Sequence, residues 1–226
     1  MSSRKTPFIN GEFYHIYNRG TDKRIIFSDQ DDLGRFFQGM REFNSLEPIG
    51  SLYEKTFADK KFGGKASKLA ESNKLVNFVA YCLNPNHFHF ILKQIEEDGI
   101  SKFMQRLGTG YAVYFNEKYN RNGALFQGKF KAIHIDSNEY LLHLSVYVNL
   151  NDRVHKLGGK ASKFMNSESS FGEYIDGVDN QFCKKDIVLG QFKNVEEYKT
   201  FAKKSLKNIL EKRYDADGMG ELLLEE

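Results

Sequence analysis

The chain has no tryptophan, only two cysteines, and no apolar run approaching the roughly 18 residues a membrane span needs. Each absence excludes something. Cys82 and Cys183 make neither a disulfide framework nor a cysteine metal motif, and they suit a reducing interior. Residues 1–7 are polar and basic, without the apolar stretch of a secretory signal, so the expected location is cytoplasmic. The net charge is +3 and the pI is near 8.6, which says little globally and directs attention to local clusters. The aromatic share falls on 20 Phe and 12 Tyr, within 40% hydrophobic residues, enough for a substantial core.

The 226 residues suit one large domain with an appendage. Alternating apolar runs predict strands at 13–18, 74–82, 86–93 and 125–135. Helical spacing predicts a helix over 29–44, capped by Ser28, and another over 100–119, although Gly108 and Gly110 weaken its middle. A third helix runs from 138 to about 154 with Ser137 as its cap, and a fourth, amphipathic, over 195–212. The order of the first six elements predicts an α+β, ferredoxin-like antiparallel sheet with helices on one face. A catalytic helix and a C-terminal helical extension follow. The expected division is a domain at 1–156, with a flexible insertion at about 50–73, and an extension at 157–226. Gly-Gly-Lys-Ala-Ser-Lys occurs at 63–68 and again at 158–163, both in expected loops; two copies are too few for a solenoid. Residues 221–226 read as a frayed acidic end.

The chemistry centres on residues 81–92, Tyr-Cys-Leu-Asn-Pro-Asn-His-Phe-His-Phe-Ile-Leu. In a strand, residues two apart leave the same face, so His87 and His89 project together while Phe88, Phe90 and Leu92 face a core. Asn84-Pro85-Asn86 is turn chemistry. Two neutral imidazoles make half of a divalent-metal site, and a pair without a ligand is the plain alternative. Further on, Tyr147 and Asn151 lie one helical turn apart, with His143 a turn earlier. Tyr147 offers a phenol and Asn151 an amide oxygen; core packing and a helix end are their plain readings. Arg19, Arg24, Lys102, Arg106, Lys118, Arg121, Lys129 and Lys131, with Lys23, form a candidate DNA-binding set. They are interleaved with Tyr111, Tyr114, Phe115 and Tyr119, aromatics that also sit at core spacing.

The His-Phe-His stretch resembles the His-hydrophobic-His motif of the HUH single-tyrosine transposases, nearest to the REP-associated tyrosine transposases, relatives of the insertion-sequence enzymes. Four more stretches agree: Tyr14-His15-Ile16-Tyr17-Asn18-Arg19-Gly20, residues 111–131 ending in Leu125-Phe126-Gln127-Gly128-Lys129-Phe130-Lys131, Leu144-Ser145-Val146-Tyr147-Val148-Asn149-Leu150-Asn151, and Ser169-Ser170-Phe171-Gly172-Glu173-Tyr174. They span about residues 13–175 in the family's order. The resemblance implies Mg2+ or Mn2+ bound by His87 and His89, Tyr147 as nucleophile and Asn151 as third ligand. A two-residue shift would put Ser145 at the nucleophile position and Asn149 at the ligand; the gapless alignment favours Tyr147. Asn149 and Asp152 stand where the family often has His and Pro.

The implied reaction is cleavage and rejoining of single-stranded DNA at hairpin-forming repeats through a 5′-phosphotyrosine, which keeps the phosphodiester energy for strand transfer. A phenol titrates near pH 10, so a group must help remove its proton; His143 is the candidate by spacing, with a plain surface histidine as the alternative. The implied partner is single-stranded or hairpin DNA, and a homodimer is within what the resemblance allows, since insertion-sequence relatives exchange helices between subunits. A domesticated hairpin-binding protein without turnover is the second reading. A small-phosphoester hydrolase is the third, and the lack of a carboxylate cluster points away from it.

Overall fold

Alternation along four strands divides the sheet into two faces, and each face builds its own core. In the computed structural model, which describes residues 7–50, 52, 73–155, 167–176 and 182–217, β1 (Phe13–Arg19), β2 (Val76–Asn84), β3 (His87–Gln94) and β4 (Lys131–Ile135) pair antiparallel in the order β4-β1-β3-β2. A two-residue strand, β5 (Glu168–Ser169), adds to the outer edge of β2. With α1 (Gln30–Glu42) after β1 and α2 (Gly99–Lys118) after β3, this is the expected ferredoxin-like α+β order. Most of 50–73, both Gly-Gly-Lys-Ala-Ser-Lys copies and residues 221–226 lie outside the described residues.

The even parity of β1 and β3 (Tyr14, Ile16, Phe88, Phe90 and Leu92) packs against Leu33, Phe36 and Met40 of α1 and Phe103, Leu107 and Tyr111 of α2. The two helices cross closely: a Cβ added at Gly110 would lie 2.8 Å from Phe43 Cζ. That approach explains a glycine which costs helix propensity. The opposite face takes α3 (Asn138–Asn149), whose Leu141, Leu144 and Val148 join Val79, Cys82 and Ile91 in a second core. Tyr174 of α5 (Phe171–Ile175), Val188 of α6 (Asp186–Leu189) and Tyr198 of α7 (Val195–Asp217) complete that core. Among the described residues no helix is long and apolar enough to cross a membrane.

Three expected details change. The fourth strand starts at Lys131, not 125, because Gly128 turns the chain at φ +67° and Gln127 N instead donates to Arg19 O. The helix expected to run from 138 to about 154 breaks at Leu150 (φ −117°, ψ 22°), and α4 (Asn151–Val154) restarts it. The cap of α1 is Asp29, which accepts from Asp32 N, while Ser28 N donates to Asp32 Oδ2, a reciprocal cap.

Asp32 is also the buried anchor of an ion pair. Lys118 Nζ donates to Asp29 at 2.7 Å and to Asp32 at 2.8 Å, and Tyr119 OH donates to Asp32 at 2.8 Å. Desolvation alone would lower the Lys118 pKa, but the hydrogen bonds to Asp29 and Asp32 hold it well above the ordinary lysine value. The same Lys118 bond holds the Asp29 carboxyl below the usual carboxylate range. Lys118→Met strands the Asp32 charge. It should lower unfolding free energy by roughly 2–3 kcal/mol, less than for a fully enclosed pair because Lys118 and Asp29 meet water. Because the Asp29 carboxyl is depressed, its share of the stability is present above the ordinary carboxylate pKa and lost as pH falls through the lowered one. The destabilisation should therefore shrink in acid, as read by urea denaturation of both proteins across pH 3–7.

Candidate active site

The turn Pro85-Asn86 sets Asn84 opposite His87 across the β2–β3 pair. Register then gathers one parity on the α3 face: His87 and His89 from β3, His15, Tyr17 and Arg19 from β1, Asn84 and Cys82 from β2, and Lys131 from β4. The imidazoles of His87 and His89 do project together, with centroids 5.2 Å apart and planes at 87°.

His89 is buried, and its Nδ1 lies 2.9 Å from Nε2 of the buried His15. Its ring stacks on Tyr17 at 5.6 Å. With Nδ1 engaged by His15, Nε2 is the nitrogen of His89 left to act as a ligand. Half-buried His87 has Nδ1 2.6 Å from Asn86 Oδ1. Asn86 Nδ2 donates to Lys23 O, which assigns its Oδ1 as an acceptor and makes His87 Nδ1 the protonated nitrogen. In the neutral ring His87 Nε2 then carries a lone pair. It lies 3.0 Å from Asn151 Oδ1, also a lone-pair atom. Two acceptors so placed repel unless a donor or a cation faces both. Cis ligands of an octahedral ion with bonds near 2.1 Å are themselves roughly 3 Å apart, so this pair fits Mg2+ or Mn2+. Burial pushes the Cys82 thiol up, which keeps it a neutral neighbour. Among the described residues no three His, Cys, Asp or Glu side chains cluster as ligands.

Tyr147, 8% exposed, stands edge-on to His89 at 5.7 Å and to His15 at 6.3 Å. Ser145 and Asn149 turn elsewhere. Ser145 Oγ donates to Leu142 O at 2.7 Å. Asn149 donates to Tyr198 OH at 3.1 Å and accepts from Ser170 Oγ at 2.6 Å. The break at Leu150 carries Asn151, not Asn149, to His87. His143 does not share Tyr147's surroundings as helical spacing had suggested. Its Nδ1 is 3.2 Å from Ser205 Oγ and its ring lies 5.1 Å from that of Phe201, both on α7.

The basic residues divide. Arg19, Lys23 and Lys131 line a cavity of about 310 Å³ with Tyr17, His87, His89 and His155. Arg19 Nε donates to Gln127 there. Exposed Lys129 lines a wider groove of about 820 Å³ between residues 126–130 and α2. Arg24 turns to Thr21 O at 3.0 Å and Asp22 at 3.7 Å. On α2, Lys102 donates to Glu97 O at 3.0 Å and Arg106 to the carbonyls of Ser45 and Leu46. Arg121 donates to Asn116 at 3.2 Å, and Lys118 holds the Asp29–Asp32 pair. The aromatics expected to stack on bases belong to the first core: Tyr111 and Phe115 are buried, and the hydroxyls of Tyr114 and Tyr119 reach Asp32. Sequence reasoning missed His155, whose ring lies 5.1 Å from that of His87, and left His15 and Asn84 without a role in the site. The alternation Phe13, His15, Tyr17, Arg19 carried the signal for His15.

Residues 53–168 match the family described as "Transposase IS200 like", just over half of the chain. The chain belongs to the IS200-like transposase family. The matched stretch holds His87, His89, Tyr147 and Asn151 and leaves out β1, with His15 and Arg19. A solved structure described as the REP associates tyrosine transposase bound to a REP hairpin is similar at 16% identity and a TM-score of 0.46, over 78% of this chain and 86% of that one. No curated protein matches.

Asn149→Ala would leave buried hydroxyls of Ser170 and Tyr198 without their amide partner. Urea denaturation should show a loss of about 2 kcal/mol. Ser145→Ala removes a hydroxyl that bonds Leu142 O and also meets the Tyr198 hydroxyl, and should cost about 1 kcal/mol.

Proposed function

We propose that this IS200-like transposase cuts and rejoins single-stranded DNA at hairpin-forming repeats through Tyr147, in the cytoplasm. The observation that carries the reading is the meeting, within one chain, of Tyr147 with His89 and of His87 with Asn151 on one sheet face.

The roles follow from position. His87, His89 and Asn151 would hold a divalent ion, Mg2+ or Mn2+, which when bound would supply charge withdrawal at the scissile phosphate. Arg19, Lys23 and Lys131 line the cavity beside the imidazoles and contact the flanking phosphates. The phenol oxygen of Tyr147 gives up its proton to solvent and attacks phosphorus. A tyrosyl O–P bond forms, the bond from phosphorus to the 3′-oxygen breaks, and the departing oxygen takes a proton to become a 3′-hydroxyl. The reverse attack by a 3′-hydroxyl rejoins the strand and restores the phenol. His143 turns to Ser205 and Phe201 on α7, which argues against it as the proton acceptor.

Incubation with a labelled hairpin substrate and Mn2+ should leave DNA attached to the protein through a denaturing gel. Tyr147→Phe keeps the ring and should abolish the adduct while DNA affinity stays near wild type; a wild-type adduct level would remove Tyr147 from the mechanism. Ser145→Ala should still form it. Tight hairpin binding with no adduct from the wild-type protein would support the domesticated binding protein instead.

The charge division gives a separate test. Replacing Lys129 and Lys131 by Gln should flatten the slope of log affinity against log salt by about 1.5, at roughly 0.7–0.9 per lost phosphate contact. Lys118→Met should leave that slope unchanged.

A further inference from the structure

The β2–β3 hairpin sets one more polar side chain against His87 and Asn151. Asn84 ends β2, is the cross-strand partner of His87, and is fully buried. Its Nδ2 lies 2.6 Å from Asn151 Oδ1 and 2.9 Å from His87 Nε2, and those two atoms are 3.0 Å apart. The three atoms form a nearly equilateral triangle. One face of an octahedron around a small divalent ion has edges of roughly 3 Å.

As oriented, the Asn84 amide donates to both other corners and so separates two acceptors. A half-turn of the carboxamide puts Oδ1 where Nδ2 was, with almost no change of shape. Three lone-pair atoms would then converge, which is unfavourable alone and favourable around a cation. The half-turn gives up little on the other side, where Asn84 Oδ1 accepts only a long contact of 3.5 Å from Cys82 Sγ. A thiol is a weak donor and a weak acceptor, so it tolerates either orientation.

We infer that Asn84 is a ligand of the divalent ion, its carboxamide turning to present Oδ1 when the ion binds. The inference rests on the metal reading above and adds a residue to it. Without the ion, the Asn84 amide protons occupy the point where His87 and Asn151 converge. With the ion, the same side chain supplies a neutral hard oxygen, the ligand type that suits Mg2+ and Mn2+. This gives a reason for a fully buried carboxamide directly following the apolar Leu83.

The test is Mn2+ binding by calorimetry on the full chain and on Asn84→Leu, Asn84→Asp and His87→Ala. Asn84→Leu should bind about 10-fold or more weakly, the scale seen when a metal site loses a supporting group. Asn84→Asp keeps the oxygen, adds charge, and should bind at least as tightly as wild type. His87→Ala should lose most binding. Wild-type affinity in Asn84→Leu, with His87→Ala defective, would overturn the Asn84 ligand and leave the metal reading standing. Asn84→Asp binding more weakly than Asn84→Leu would also overturn it, as the signature of a residue needed only as a donor. Absence of Mn2+ binding in the wild type would overturn both. Because the leucine variant can lose its fold, the wild type supplies a second readout. On titration with Mg2+, the side-chain amide NMR signal of Asn84 should shift and saturate with the calorimetric affinity. A signal that stays fixed at saturation would overturn the inference.

Discussion

The two-residue turn at Pro85-Asn86 is the constraint on which the rest depends. It pairs Asn84 with His87, and with a side-chain period of two, that single pairing assigns β3 and residues 80–84 of β2 to their faces; a bulge between Phe78 and Ala80 resets the parity of the rest of β2. A slip of one residue would carry His87 and His89 into the aromatic core and push Phe88 and Phe90 against α3. Register is held from outside as well. Gly20 N donates to Asn86 O at 2.8 Å, and Ile26 N donates to Pro85 O at 2.8 Å, so the loop after β1 grips the turn. Gly20 permits this approach, because a Cβ there would lie 2.2 Å from Arg24 O. The same loop carries Lys23 to the cavity, so the grip on the turn and the charge beside the imidazoles share one segment.

The second face depends on α3, and α3 is placed by what lies after it. Asn149 is tied to Tyr198 on α7 and to Ser170 at the start of α5, and Ser170 Oγ in turn accepts from Tyr81 N on β2. The C-terminal residues thereby reach the strand next to the histidines through three hydrogen bonds. The expected boundary near 156 marks a change in composition, yet the described residues after it fill the core that supports Tyr147. Loss of α7 would take Tyr198 from Asn149 and Ser205 from His143 and loosen the helix that carries the phenol.

Much of the fold was legible because it repeats locally. Strand alternation and helical spacing are written within a few residues of each other, so the six-element order and the core face of Phe88, Phe90 and Leu92 could be read. The Leu150 break could not, since it reflects partners at 170 and 198. β5 was invisible for a related reason: two residues contain no period. The site divides along the same line. His87, His89, Tyr147 and Asn151 were readable as spacing within one strand and one helix, with family resemblance joining them. His15, Asn84 and His155 enter through cross-strand register and the cavity wall. The charges were readable as a count but not as a surface. Lys118 meets carboxylates 89 and 86 residues earlier in the chain, and nothing near Lys118 in the sequence announces them.

A sheet face enclosed by a helix is most stable when it is apolar, and this one is not. His15, Asn84, His89 and Asn151 are each no more than 2% exposed, without a carboxylate among them. Removing such groups from water is costly, and their mutual hydrogen bonds return at best a comparable sum. Leucine or valine at those positions would pack as well and leave nothing to satisfy. On the other side of the same strands, Tyr14, Ile16, Phe88, Phe90 and Leu92 come closer to that simpler rule. The two faces share strands, twist and turn, so the difference between them is not imposed by the fold. Buried polar groups gathered around one histidine pair and one tyrosine are the pattern expected where stability has been yielded for a binding site. The Asn84–His87–Asn151 triangle is its sharpest instance: the Asn84 amide faces both His87 Nε2 and Asn151 Oδ1, which lie 3.0 Å apart, a spacing that a cation would use.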